Sequence, residues 1–508
     1  MMTVLILAVV ALAKAMPQTD FQSVMDMATP ESQGVPSAAI CRWIEVCEKE
    51  LDVVHGFVIV RHGKTIAEGS WHPFDTLNRP HMLYSHSKSF TSTAIGFLID
   101  DGKLDLDACV AELFSDKLPV EPSENLKALR VRDLLTMNVG AGATNISLTD
   151  SGGDWERRFL SGAFKTKPGT RFVYDSLATY MLSAIVRRTS GEDMMDVLRV
   201  RLFDRIGIGP VTSSASPSGI SCGGWGMYMT TRDIARFGQF LLQGGAWNGE
   251  QIISREWVAL ATARQTWCGG VGSQAKAATS ASDWTQGYGF QFWRCRHGAF
   301  RADGAYGQFT IVLPEQDAVV SVHAGQSDMQ KEMNLVWEHL LPAMGDVLPE
   351  NPSAVRALRE RCASLALPPL SGAENPPDGV LGRNVAISVN PRGVRSVRLD
   401  RAADGLKLMF EARAGKCELP VGVGRWKTGE IRIDPEKHEA LGAYIGAHPT
   451  AASAAVEKDG SLHVRIYFTD APGRMDLFFR STDGELSVNG RLKIMCGCEF
   501  MGRANTGG

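Results

Sequence analysis

The sequence predicts an α+β fold, with helices packed on a sheet, followed by a smaller all-β C-terminal domain. Three observations lead there. A helical period near the start runs directly into a hairpin, and three strand-like runs are closed by a helix near residue 340. Beyond a proline-rich stretch the chain breaks into short alternating segments.

The bulk properties set the frame. At 508 residues the chain exceeds one ordinary core, so two domains are expected. Hydrophobic residues make up 44% and charged residues 21%, the balance of a globular protein. A net charge of −3 supplies no field to gather a polyanion, which argues against a nucleic-acid partner. The ten cysteines form no Cys-x-x-Cys, and Cys496 with Cys498 lacks the second half of a zinc site, so thiols rather than metal ligands are expected. Residues 1–28 read as an N-terminal, signal-like segment. Thr3 to Ala13 is an apolar run of signal-peptide length and Ala13-Lys14-Ala15 resembles a cleavage site, yet no Lys or Arg precedes the run. Export to the periplasm or beyond and a cytoplasmic location both stay open. The run is too short to span a bilayer, and nothing after Ala15 is apolar for long enough.

The elements follow in order. Ile40, Ile44, Cys47 and Leu51 have helical spacing within residues 38–51. Residues 56–60 and 65–67 flank Arg61-His62-Gly63-Lys64 as a hairpin. A helix from Ser85 to Asp100 buries Phe90, Ala94, Phe97 and Leu98 and stops at Gly102. Further helices are expected over 131–137 and 179–188, and one after the capping box Thr230 to Asp233. Strands are expected at 288–293, 309–313 and 318–323, then a helix at 329–341. Residues 29–345 thus form the first domain. Seven prolines between Pro342 and Pro377 mark a linker, taken as 346–383. In 384–508, strand-like segments recur at 394–399, 406–412, 462–468, 475–480 and 486–492, the pattern of a sandwich or small barrel.

The candidate chemistry begins with Ser-x-x-Lys. At i and i+3 on a helix, hydroxyl and amine share a face, and the helix N-terminus adds positive potential where an oxyanion forms. The spelling occurs twice. Ser273-Gln274-Ala275-Lys276 lies in a Gly/Ala/Ser-rich stretch with no helix to fix it, whereas Ser85-His86-Ser87-Lys88 opens an amphipathic helix. Context selects Ser85, with Lys88 one turn on.

Residues 84–94, Tyr-Ser-His-Ser-Lys-Ser-Phe-Thr-Ser-Thr-Ala, with the turn at 101–107, resemble the active-site helix of the β-lactamase-related serine hydrolases. That family includes class C β-lactamases, penicillin-binding DD-peptidases, family VIII carboxylesterases and 6-aminohexanoate-dimer hydrolases. The resemblance covers roughly residues 30–345 and implies a β-lactamase/transpeptidase-like catalytic domain, an antiparallel sheet flanked by helices. Its second motif, Tyr-x-Asn or Tyr-x-Ser, matches Tyr174-Asp175-Ser176. This implies that Tyr174, held as phenolate beside Lys88, takes the Ser85 proton, with Ser176 a candidate substrate-binding residue. The third motif is usually Lys-Thr-Gly or His-x-Gly. A literal Lys427-Thr428-Gly429 lies too late in the chain. The segment in the right place, residues 303–308 (Asp-Gly-Ala-Tyr-Gly-Gln), resembles the Gly-x-x-Gly-Gln of the 6-aminohexanoate-dimer hydrolase branch. By that match the backbone N–H groups of Ser85 and Ala305 form the oxyanion hole, and Gly304, Tyr306 and Gly307 are candidate substrate contacts. His297 and His323 lie near this segment, although surface or core histidines are the plainer reading. Residues 223–237 resemble a family hallmark and read as a structural Gly-rich turn, cap and packing helix.

The expected function is cleavage of a small-molecule ester or amide through an acyl-enzyme on Ser85, with Lys88 and Tyr174 as the base system and no metal or organic cofactor. The missing third-motif lysine and the Tyr-x-Ser spelling lower the odds of a β-lactamase or DD-peptidase, the first alternative. A non-turnover binding or sensor protein on the same fold is the second. A third gives the C-terminal domain the main role, in ligand binding or oligomer formation.

Overall fold

The computed structural model describes residues 25–140, 153–268, 281–388, 390, 393–412, 415–432, 447–493 and 498–504. The apolar run at 3–13 and the second Ser-x-x-Lys at 273–276 lie outside these. Helix α1 (Ser37–Glu50) leads into strands β1 (Val54–Arg61) and β2 (Lys64–Ser70). Three longer helices follow: α2 (Ser87–Asp100), α3 (Ser176–Ser190) and α4 (Thr231–Leu242). Strands β3 (Trp293–Arg294), β4 (Phe300–Gly304), β5 (Gln308–Leu313) and β6 (Ala318–Ala324) precede helix α5 (Met329–Leu335). The strands form one antiparallel sheet in the order β2-β1-β6-β5-β4-β3.

Helices cover both sheet faces, which is why β1 and β6 are buried at every position and read as continuous apolar runs. On one face Trp43 of α1 meets Phe57 of β1 edge-on, with ring centroids 5.1 Å apart. On the other, α4 lies so close that a methyl group at Gly238 would meet Thr310 and Val319 at 2.6 Å. Phe57 is fully buried, and burial of such a side chain contributes about 1.5–3 kcal/mol.

Several elements differ from expectation for local reasons. The run at 288–293 forms a strand only over Trp293–Arg294, with Tyr288 making single bridges to Thr266 and Trp293, because Gly287 (φ 109°) and Gln291 (φ 66°) leave the extended region. Strand β4 was hidden by Arg301 and Asp303, which are buried and paired with each other. Past α5 the chain widens into a π turn at Val336–Leu340 before Pro342 ends it in a 3₁₀ turn. The proline-rich stretch contains a helix, α6 (Pro352–Ala363), started by Pro352 and by the Asn351 side chain, which accepts from Ala354 N at 3.1 Å. Between its flanking prolines the sequence has no breaker, and α6 packs against α1 and β2.

Beyond it ten strands form one sheet: β7 (Asn384–Ile387), β8 (Val394–Ala402), β9 (Gly405–Ala412), β10 (Gly415–Val423), β11 (Lys427–Arg432), β12 (Ala447–Val456), β13 (Leu462–Phe468), β14 (Arg474–Thr482), β15 (Glu485–Lys493) and β16 (Cys498–Ala504). A parallel pairing of β10 with β12 closes the sheet into a barrel around Leu408, Phe410, Val464, Ile466, Leu477 and Phe479. Lys427-Thr428-Gly429 belongs to this barrel, where Lys427 pairs with Asp404 at 3.0 Å. The barrel is joined to the first part of the chain at the segment preceding Ser85. Met82 and Tyr84 are buried in the barrel's own apolar cluster, and Tyr228, Ala305 and Tyr306 pack against it.

Candidate active site

The backbone around Ser85 is held from three sides. His81–Met82 pairs with Tyr228–Met229, and Leu83 N donates to Met227 O at 2.9 Å. From the sheet, β4 approaches so closely that a methyl group at Gly304 would lie 2.0 Å from Leu83 O. From the barrel, Asp470 O accepts from Met82 N at 2.8 Å. Tyr84 is left-handed (φ 50°), which costs a non-glycine residue about 1–2 kcal/mol and is sustained by these contacts. Ser85 itself sits in the 3₁₀ turn Tyr84–His86, so α2 begins two residues later than expected. The serine therefore stands at the mouth of the helix, near its positive end.

Lys88 is 2% exposed. Its Nζ lies 3.1 Å from Ser85 Oγ, 2.9 Å from Ser176 Oγ and 2.6 Å from Gly224 O. Burial pulls the amine down to about 7, against the opposing pull of Asp175 and Asp303. Three acceptors suit an ammonium; burial favours the amine. The arrangement serves the amine as well, since two N–H groups can donate to Ser176 and Gly224 while the lone pair faces Ser85.

The Asp175 side chain caps α3 by accepting from Leu177 N at 2.9 Å, which fixes Tyr174 just before the helix and Ser176 at its first position. Tyr174 stacks on Trp293 at 5.8 Å, and its hydroxyl hydrogen-bonds Ser85. The expected phenolate is not what this environment favours. Burial pushes the phenol well up, and Lys88 Nζ lies over the ring face, 4.9 Å from its centroid, with its hydrogen bonds directed elsewhere. Burial thus favours Tyr174 as a neutral phenol, and the Lys88 amine lies within hydrogen-bond reach of Ser85 Oγ.

The third motif forms the turn between β4 and β5, with Tyr306 (φ 66°) and Gly307 (φ 85°) both left-handed. The Gly304 contact with Leu83 brings Ala305 beside Ser85. Neither the Ser85 N–H nor the Ala305 N–H donates to another described residue. Gln308 Nε2 donates to Ala305 O at 3.1 Å and to Ala324 O at 2.7 Å, and its Oε1 accepts from His323 Nδ1 at 2.9 Å. His323 therefore supports the turn from the core. His297 is exposed, with its ring 5.2 Å from that of Trp337, and takes no part.

Sequence reading missed two contributors. Gly224, assigned a structural role, supplies the carbonyl that holds Lys88, and a methyl group there would lie 2.7 Å from Ser176 O. Asp303 is buried beside the site and acts on Lys88 electrostatically. A backbone carbonyl leaves no mark in side-chain identity, and Asp303 was read only as the residue before a glycine. Among the described residues, no group of three or more His, Cys, Asp or Glu is placed to hold a metal ion, and the eight cysteines whose side chains are described are free.

Serine, buried amine and phenol on this fold define a serine hydrolase. The family profile described as Beta-lactamase matches residues 28–341, more than half of the chain, and the chain belongs to that family. Its fold is accordingly β-lactamase/transpeptidase-like, extended by the C-terminal barrel. The chain is 26% identical over 320 residues to the 6-aminohexanoate-dimer hydrolase of Paenarthrobacter ureafaciens, covering 58% of this chain and 79% of that protein. It is 25% identical to penicillin-binding protein 4 of Amycolatopsis lactamdurans, covering 47% and 70%. Among solved structures, the octameric penicillin-binding protein homologue from Pyrococcus abyssi aligns over 91% of this chain and 99% of its own, at 15% identity and a TM-score of 0.46.

Proposed function

We propose that the protein cleaves an ester or simple amide through an acyl-enzyme on Ser85. The observation that carries this reading is the placement of the Lys88 amine, buried and 3.1 Å from Ser85 Oγ. In acylation Ser85 Oγ bonds to the substrate carbonyl carbon and its proton passes to Lys88 Nζ. The N–H groups of Ser85 and Ala305 stabilise the tetrahedral oxyanion. As the intermediate collapses, the Tyr174 hydroxyl gives its proton to the leaving alcohol or amine and takes back the proton that Lys88 had accepted from Ser85. Water then attacks the ester, with the same groups acting in reverse, and Ser85 is restored. Ser176 and Gly224 hold the lysine throughout.

Substrate class follows from what the third motif lacks. No lysine stands in the segment 303–308 to hold a substrate carboxylate, which favours esters and simple amides over penicillins and D-alanyl peptides. Similarity to a 6-aminohexanoate-dimer hydrolase supports linear amides within this range. The test is a fluorophosphonate label located by mass spectrometry, run beside Ser85→Ala, then a panel of short p-nitrophenyl esters, linear amides, D-amino-acid amides and nitrocefin. Label on the Ser85 peptide and fastest turnover of the esters are expected. Label elsewhere or an active Ser85→Ala would overturn the nucleophile. Nitrocefin outrunning the esters would overturn the substrate class, and label without turnover would indicate a sensor.

A further inference from the structure

Glu332, on α5, places its carboxyl directly behind the third-motif turn. It is 3% exposed, and neither oxygen has a hydrogen-bond partner among the described residues. A methyl group on Gly307 would meet Glu332 Oε2 at 2.0 Å, so the carboxyl lies flush against the Gly307 backbone and fills the space a side chain would take. The titratable groups that face it are Asp303 on β4 and Cys47 on α1, and neither is a cation. Asp303 is itself committed to Arg301, with Arg301 Nε donating to Asp303 Oδ2 at 2.8 Å. Burial, reinforced by Asp303, pushes the Glu332 acid upward. An unpaired carboxylate is strongly disfavoured in such surroundings, whereas a neutral carboxylic acid is tolerated.

We propose that Glu332 is a positioning residue of the active site: as a neutral acid it supports the Ala305–Gly307 turn, and when it ionises it opposes the oxyanion that the Ala305 N–H stabilises. The inference rests on the reading of Ala305 as an oxyanion donor. The geometry makes the effect directional. The carboxyl lies against Gly307, two residues from the Ala305 N–H, so a charge on Glu332 raises the energy of the charged intermediate more than that of the neutral substrate. A structural filler would change stability without changing the shape of the pH profile.

The test compares the full-length protein with Glu332→Gln, which keeps the shape and cannot ionise. Two readouts are taken: kcat/KM for a p-nitrophenyl ester from neutral to alkaline pH, and the infrared spectrum at neutral pH. The wild type is expected to show a protonated-carboxyl band that the variant lacks. Its activity is expected to decline at alkaline pH, with the variant retaining about tenfold more of its neutral-pH activity at the alkaline end. Superimposable profiles, or no carboxyl band lost on substitution, would overturn the proposal. Should Glu332→Gln not fold, wild-type protein labelled with ¹³C at the glutamate carboxyl serves instead: one glutamate carbon with the shift of a neutral acid at neutral pH is expected, and its absence is equally decisive. Failure of this inference is distinct from failure of the functional reading, because Ser85→Ala reports on the nucleophile whatever Glu332 does.

Discussion

Met82 N donates to Asp470 O at 2.8 Å, which ties the C-terminal barrel to the chain three residues before Ser85. Ala471, the next barrel residue, is fully buried, and its backbone hydrogen-bonds His81. The β13–β14 turn is therefore part of what holds Tyr84 in its left-handed conformation. Ala471→Asp would place an unpaired carboxylate in this contact, at a cost of about 3–5 kcal/mol. We expect kcat for an ester substrate to fall at least about tenfold through displacement of Ser85, with the barrel's β signal retained in circular dichroism. Unchanged turnover in the folded variant would show that the barrel does not support the nucleophile.

Lys88 sets the acid side of the pH dependence. Its amine is drawn down to about 7, chiefly by burial, and it accepts the Ser85 proton only in the neutral form. Below that pH the ammonium predominates and acylation slows; above it the amine is free. Pre-steady-state acylation by a p-nitrophenyl ester should therefore rise through about pH 7 and hold level until the alkaline decline expected from Glu332. Lys88→Arg keeps the charge but loses the base, since a guanidinium stays protonated, and should lose about 10³-fold or more in kcat. A flat acid limb in the wild type would remove Lys88 as the base.

How much of this site was legible follows from how local each part is. Ser85, Lys88, Tyr174 and residues 304–308 were readable because short motifs carry their chemistry. The protonation of Tyr174 was not, because it depends on burial against Trp293 and on Lys88 facing the ring, both set by distant elements. The same holds for Glu332, which looks like an ordinary helix-surface residue until α5 docks behind the Gly307 turn. In the barrel, Leu462–Phe468 announced itself by alternation. Ala447–Val456 did not, because its runs of alanine carry no alternation of large apolar and polar side chains. Closure of the barrel through β10 and β12 is a long-range pairing that no local signal encodes.

Gly304→Ala tests the approach of the third motif to the nucleophile. The added methyl group would lie 2.0 Å from Leu83 O, a backbone atom that cannot swing aside, so β4 and the Ser85 turn must separate. We expect a loss of about 10²–10³-fold in kcat, the size of losing one oxyanion donor. A comparable fluorophosphonate labelling rate in wild type and variant would contradict it. Gly102→Ala is the control, because its left-handed turn has open space and lies away from the site.

Asp476 in the barrel predicts an acid-sensitive domain. It is 5% exposed and accepts from His463 Nε2 at 2.8 Å, Arg465 Nε at 2.8 Å and Arg474 Nε at 2.9 Å. Burial alone would raise its pKa, but the His463 hydrogen bond and the two guanidinium groups outweigh this and hold the carboxyl well below the ordinary range. Because the folded state binds this proton more weakly than the unfolded chain, the stabilisation is complete above the unfolded carboxyl value of about 4 and is lost as pH falls below it towards the folded value. Asp476→Asn should lower barrel stability at neutral pH by about 2–3 kcal/mol, discounted from the fully buried case because both arginines are partly solvated. The same variant should flatten the stability loss between about pH 4 and pH 2 in urea denaturation followed by circular dichroism. Equal acid sensitivity in wild type and Asp476→Asn would show that other carboxylates govern the transition.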